Sequence, residues 1–171
     1  SESGSVSPDG LIQQADIAMY HAKSRGRDNF QLYTQLMGEK ALEEGDYERR
    51  INAALELNQL SMVYQPKVTA EGSLVSFEAL IRWHHPTLGN ISPDEFIPIA
   101  EQSNLIVSIG EFVIVSVLKT LKKWVDQGYQ ILPVSINIAG RHLVSSEFVP
   151  FIQSQLVHYD INGKYIEIEI T

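Results

Sequence analysis

In an extended chain side chains alternate, so over residues 77–83 Phe77, Ala79, Ile81 and Trp83 face one way and Glu78, Leu80 and Arg82 the other. A carboxylate and a guanidinium therefore share one face of an otherwise apolar strand. The pattern recurs twice. In residues 131–138 Leu132, Val134, Ile136 and Ile138 oppose Ser135 and Asn137, and in residues 165–171 Ile166, Ile168 and Ile170 oppose Glu167, Glu169 and Thr171. Hard oxygen donors on matching faces of separate strands are the donor set of a divalent cation such as Mg²⁺ or Mn²⁺. Arg82 suits either a phosphate contact or a plain ion pair with Glu78.

Something must bring those faces together. A half-solvated antiparallel sheet alternates in the same way. The connections favour another arrangement, because the helical stretches between these segments are long enough for parallel crossovers, and a parallel sheet is covered on both faces. In a closed β/α barrel the apolar face packs on outer helices. The polar face then points inward, toward the C-terminal mouth where such barrels keep their chemistry.

Composition narrows the chemistry further. The 171 residues leave room for one full domain or pieces of two, and a hydrophobic content of 44% is ordinary for a globular protein. Absence of cysteine excludes disulfides and thiolate metal sites, so a bound metal is held by carboxylate, amide, imidazole or water. The net charge of -8 disfavours a nucleic-acid polymer, whose binding runs on clustered Lys and Arg. A small anionic ligand remains compatible where a metal cancels local charge. The longest apolar stretch, 105–121, is interrupted by Ser108, Gly110, Glu111, Ser116, Lys119 and Thr120, so it does not read as a membrane span, and no signal peptide is visible. The expected location is cytoplasmic, with membrane attachment only through a segment upstream of residue 1.

Along the chain, Ser7-Pro8-Asp9-Gly10 reads as a turn or frayed start. Leu11, Ala15, Ala18, Met19 and Ala22 follow helical spacing toward Gly26 as an αL cap, and a short strand is expected at 30–33. Residues 37–45 are polar and mixed, suiting a linker, before an amphipathic helix from near Asp46 that sets Tyr47, Ile51, Ala54 and Leu55 on one face. Strand 62–68 joins the Glu78 strand through Ala70-Glu71-Gly72-Ser73, too short for anything but an antiparallel hairpin. Ser92-Pro93-Asp94-Glu95 starts a helix with Ser as N-cap and Pro at the first helical position. Helices follow over about 93–102, 105–127 and 141–158. The last strand runs to the final residue with its apolar face uncovered, so the chain is expected to be part of a longer protein.

Tyr64-Gln65-Pro66, Phe77-Glu78-Ala79-Leu80-Ile81-Arg82-Trp83, the run from Pro93 to Glu101, Asn137-Ile138 and Glu169-Ile170-Thr171 together resemble the first half of an EAL domain, the cyclic di-GMP phosphodiesterase module. Upstream, the run from Ala15 to Lys23, closing on Gly26-Arg27-Asp28-Asn29, resembles the C-terminal end of a GGDEF diguanylate cyclase domain. The resemblance implies an α/β fold: part of an EAL-type (β/α) barrel with an antiparallel first strand, preceded by a helix-strand remnant of a GGDEF domain. It places the remnant at 1–36, a linker at 37–45 and the first half of the EAL domain at 46–171.

The implied activity is hydrolysis of cyclic di-GMP to linear pGpG with two Mg²⁺ or Mn²⁺ ions, which lower the pKa of an attacking water and neutralise phosphate charge. Residue by residue, Glu78, Asn137 and Glu169 fall on metal-ligand positions, and Gln65, Leu80 and Arg82 on substrate-contacting ones. The implied partners are cyclic di-GMP and a second copy through the EAL domain. Later residues of the family's site, an Asp-Asp pair, a Lys, a Glu and a Gln, fall beyond Thr171. No catalytic group beyond the metal ligands is assignable, and the chain alone is expected to be inactive. Where many members read Asn-Ile-Ser-Ala, this chain has Asn137-Ile138-Ala139-Gly140. The rival functions are a catalytically inactive cyclic di-GMP receptor and a dimerising scaffold that binds no nucleotide. Glu167 reads as a deeper layer or a partner for a cation, His84 and His85 as loop residues, Trp83, Phe96 and Trp124 as packing residues, and Tyr20 as core of the remnant.

Overall fold

The computed structural model describes residues 7–24 and 28–170. The chain forms two compact units, Ser1–Tyr47 and Glu48–Thr171, and the division falls inside a helix.

In the first unit helix α1 spans Pro8–Ser24. Ser7 caps it, its Oγ accepting from the Gly10 amide at 3.1 Å, so Ser7-Pro8-Asp9-Gly10 is a helix start rather than a turn. Ala18 is buried, whereas Leu11, Met19 and Tyr20 are exposed, which corrects the expectation of Tyr20 as core. The expected cap at Gly26 lies outside the described residues. Residues 30–33 are not a strand, and among the described residues of this unit there is no strand to complete their hydrogen bonds.

Helix α2 spans Gln35–Glu56, so it begins well before the expected start near Asp46 and residues 37–45 are helical. The reason lies in their composition: Glu, Lys and Ala are strong helix formers, and pairs such as Lys40–Glu44 (3.6 Å) and Gln35–Glu39 (3.0 Å) join at i,i+4. In the second unit α2 buries Ile51 and Ala54, as its spacing predicts. It ends where Asn58 turns left-handed (φ 55) and the Gln59 amide bonds back to Ala54 O at 3.0 Å.

The second unit is a mixed open sheet backed by helices. Strand β1 (Leu60–Val68) and β2 (Leu74–His85) form the antiparallel hairpin, with Gly72 supplying the positive φ of 85 that the turn requires. A further short strand β3 (Gly89–Ile91) pairs antiparallel with the end of β2. This places His84 and His85 in a strand rather than a loop. His84 Nδ1 lies 2.9 Å from Asn90 Oδ1, and His85 Nδ1 accepts the Thr87 and Leu88 amides at 3.2 Å.

Helix α3 (Pro93–Gln102) starts as its sequence requires, Ser92 Oγ accepting from the Asp94 amide at 3.3 Å. Helix α4 (Leu105–Asp126) lays Ile109, Val113, Val117 and Leu121 into the core at helical spacing. Strand β4 (Val134–Ile138) starts later than expected, and residues 131–133 are irregular. The expected single helix at 141–158 is two pieces, a one-turn α5 (Gly140–Leu143) and α6 (Phe148–Tyr159), because Ser145 Oγ takes the Glu147 amide and Ser145 O the Phe148 amide, restarting the helix. A 3₁₀ turn at Gly163–Tyr165 leads into β5 (Ile166–Ile170).

The strand order is β1-β2-β4-β5, with β2–β4 and β4–β5 parallel. The core lies on the helix side of this sheet: Trp83 meets Phe96 edge-on at 5.3 Å, and Trp124 of α4 packs on Tyr64 at 5.4 Å and Phe77 at 5.8 Å. Among the described residues no helix is long and apolar enough to cross a membrane.

Candidate functional site

With the helix-facing positions filled by Phe77, Trp83, Val134, Ile136 and Ile138, the alternate residues project from the opposite face of the sheet. Register aligns them. Gln65 lies opposite Glu78, Glu78 opposite Ser135, and Asn137 opposite Glu169. Glu78, Asn137 and Glu169 are each half-buried, and Gln65 is exposed beside them. Asn137 Nδ2 donates to Glu78 Oε1 at 3.0 Å, which orients the amide and leaves Asn137 Oδ1 and the second Glu78 oxygen to face a ligand.

Glu169 is held differently. Lys67, on β1, donates from Nζ to Glu169 Oε1 at 2.5 Å and to Ser135 Oγ at 2.8 Å. The hydrogen bond to Glu169 raises the Lys67 ammonium above its usual range, and the Glu78 and Glu167 charges add to it. The same bond, together with the Ser135 hydroxyl, holds the Glu169 carboxyl below the usual carboxylate range. Glu167 is exposed and contributes to this field from one register step away.

Arg82 is exposed, and its guanidinium donates to the Ile81 carbonyl at 2.8 Å. It forms no ion pair with Glu78, so the plain salt-bridge alternative is not what the structure contains. Leu80, Arg82 and Asn137 instead border a cavity of about 420 Å³ whose far wall is Pro93, Ile97 and Glu101 of α3 with Ile109 and Gly110 of α4. A mostly apolar cavity beside a carboxylate-amide pair and a guanidinium can seat a flat heterocycle next to a phosphate.

The donors fit a hard divalent cation. They are oxygens only, drawn from two carboxylates and one amide on neighbouring strands. Among the described residues no three His, Cys, Asp or Glu side chains form a ready-made cluster, so the Asn137 amide is needed to complete the set.

The structure thus brings Glu78 and Asn137 into contact, sets Glu169 level with Asn137, and places Gln65, Leu80 and Arg82 around them. Sequence reasoning missed Lys67 and gave Ser135 no role. A signal existed, since Lys67 shares the parity of Gln65 and therefore its face. A lone Lys on a first strand nonetheless reads as a solvated edge residue.

The family model described as "EAL domain" matches residues 48–171. Among curated proteins, the chain is 34% identical over 162 residues to the bifunctional diguanylate cyclase/cyclic di-GMP phosphodiesterase MucR of Pseudomonas aeruginosa, covering 94% of this chain and 24% of that protein. It is 40% identical over 163 residues to the cyclic di-GMP phosphodiesterase PdeR of Escherichia coli, again covering 94% and 24%. The chain therefore spans about a quarter of the length of these relatives. Among solved structures, the MucR phosphodiesterase in complex with c-di-GMP superposes with a TM-score of 0.68 at 31% identity, over 72% of this chain and 50% of that one. The cGMP-bound EAL enzyme Bd1971 superposes with a TM-score of 0.73 at 25% identity, over 95% and 46%.

Proposed function

The chain belongs to the EAL-domain family, and from that premise we propose that the protein carrying it hydrolyses one phosphodiester bond of cyclic di-GMP to give linear pGpG. The observation that carries this reading is the hydrogen-bonded Glu78–Asn137 pair on one sheet face, level with Glu169 and bordered by Gln65, Leu80 and Arg82. EAL phosphodiesterases are generally dependent on a divalent metal. In this reading Mg²⁺ or Mn²⁺, bound as a pair, supplies Lewis-acid charge and an activated water. Glu78, Asn137 and Glu169 hold it, Asn137 fixes the Glu78 carboxylate, and Arg82 and Gln65 orient the phosphodiester while Leu80 packs against the nucleotide.

The curated alignments reach upstream of residue 48, and one relative is named a diguanylate cyclase as well as a phosphodiesterase. This supports reading 1–36 as the end of a GGDEF domain, 37–45 as a helical connection and 46–171 as the first half of the EAL domain. The protein is further proposed to work in the cytoplasm and to pair with a second copy through the EAL domain.

Replacing Glu78 by Gln tests the reading. Gln keeps size and polarity but removes the charge, so Mn²⁺-dependent pGpG release by the intact protein should fall at least about a hundredfold. Arg82 is not paired with Glu78, so no cation is stranded and the thermal midpoint should move by no more than about 3 °C. Near-normal hydrolysis by a well-folded Glu78→Gln protein would reject the assignment.

A further inference from the structure

Glu78, Glu167 and Glu169 project from one face of the sheet, a concentration of negative charge that opposes folding unless something offsets it. Among the described residues the cation that reaches them is Lys67. It does so from the far end of the strand order: Lys67 belongs to β1 and Glu169 to β5, so their bond spans the polar face and passes the fully buried Ser135 of β4. A lysine serving solvation alone would extend into water. This one is drawn inward onto two side chains, and only one oxygen of Glu169 takes its bond.

We propose that Lys67 is a positioning residue, whose ammonium fixes the Glu169 carboxylate so that its other oxygen is presented to the divalent cation. This rests on the reading of Glu169 as a metal ligand. Carboxylates that ligate metals are commonly hydrogen-bonded behind by a second group, and loss of that group typically lowers metal affinity by about 10–100-fold. The sign of the effect separates this role from two others. A lysine that merely sits near the site repels a dication, so removing it tightens binding. A lysine that only braces the sheet changes thermal stability and leaves affinity alone.

The experiment is Mn²⁺ titration of the intact protein without nucleotide, followed by the electron paramagnetic resonance signal of free Mn²⁺, with thermal midpoints recorded on the same samples. Lys67→Met keeps the length of the side chain and removes its charge, and its Mn²⁺ dissociation constant should rise at least about tenfold. Turnover at saturating Mn²⁺ should recover toward that of the unmodified protein. Unchanged or tighter Mn²⁺ binding by folded Lys67→Met overturns the proposal. Should that variant fail to fold, Lys67→Gln carries the test, because it also removes the ammonium while keeping a polar group on β1; unchanged Mn²⁺ affinity there overturns the proposal equally. Glu169→Gln separates the premise from the inference. If it leaves Mn²⁺ affinity unaltered, Glu169 is no ligand and both fail, whereas weakening by Glu169→Gln without weakening by Lys67→Met defeats only the role of Lys67.

Discussion

The His142 imidazole is 2% exposed, lies edge-on to Phe148 at 4.9 Å, and leaves Nδ1 without a hydrogen-bond partner. Burial pushes its pKa below the ordinary histidine value, with the Glu111 carboxylate acting weakly the other way. A group whose folded pKa is depressed binds its proton more readily when unfolded, so its contribution is whole above the ordinary histidine range and fades as pH falls through it. Denaturant melts taken from about pH 7.5 to 5.5 should show stability declining on the acid side, and His142→Asn should flatten that decline. An unaltered slope in the variant would show that His142 titrates alike folded and unfolded. Nothing in the sequence marked this residue, since a His between Arg141 and Leu143 reads as surface. Glu78, Asn137 and Glu169 were legible because alternation is a property of the backbone. Lys67 was harder to see, because its role depends on a partner three strands away in the sheet and far along the chain.

Between elements, α4 and α5 meet at Gly110. A Cβ built there would lie 2.3 Å from His142 Nδ1, closer than real contacts allow, and the ring is locked by its own burial. Two effects oppose each other in Gly110→Ala. Helix propensity favours Ala by about 1 kcal/mol, while overpacking a rigid core costs about 1–3 kcal/mol. The second should win, so Gly110→Ala should lower the thermal midpoint, and His142→Ala in the same chain should restore part of the loss. A stabilised Gly110→Ala protein would show that α5 gives way freely. At this scale the helices with strong starts were readable: Ser92-Pro93 and the apolar stripe of α4 predict their own boundaries. The expected helix start near Asp46 was too late because local composition had two readings. Residues 37–45 are polar enough for a linker and yet rich in helix formers, and the i,i+4 pairs decide for helix.

Over the second unit, the sheet order β1-β2-β4-β5 leaves β1 and β5 as edges, and the hydrophobic side of β5 is uncovered, with Ile168 and Ile170 at 40% and 67% exposure. Val149 and Val157 of α6 are exposed as well. The hairpin and the parallel crossovers follow from connection lengths. Sequence had no comparable signal for β3, since three residues around a tight turn carry too little pattern to register. An open edge offers unpaired backbone groups to another chain, and exposed isoleucines add a reason to associate. The net charge of -8 opposes this by mutual repulsion between copies. Salt decides between them, because screening shortens from about 10 Å at 0.1 M to about 3 Å at 1 M and leaves apolar contact intact. The 171-residue chain alone should therefore self-associate by light scattering, and more strongly near 0.5 M NaCl than near 0.05 M, the reverse of an association held by ion pairs. Ile168→Glu with Ile170→Glu should suppress it at both ionic strengths. A chain that stays monomeric throughout would mean that its exposed edge and apolar strip are too short to pair, and that contacts elsewhere carry any dimer of the intact protein.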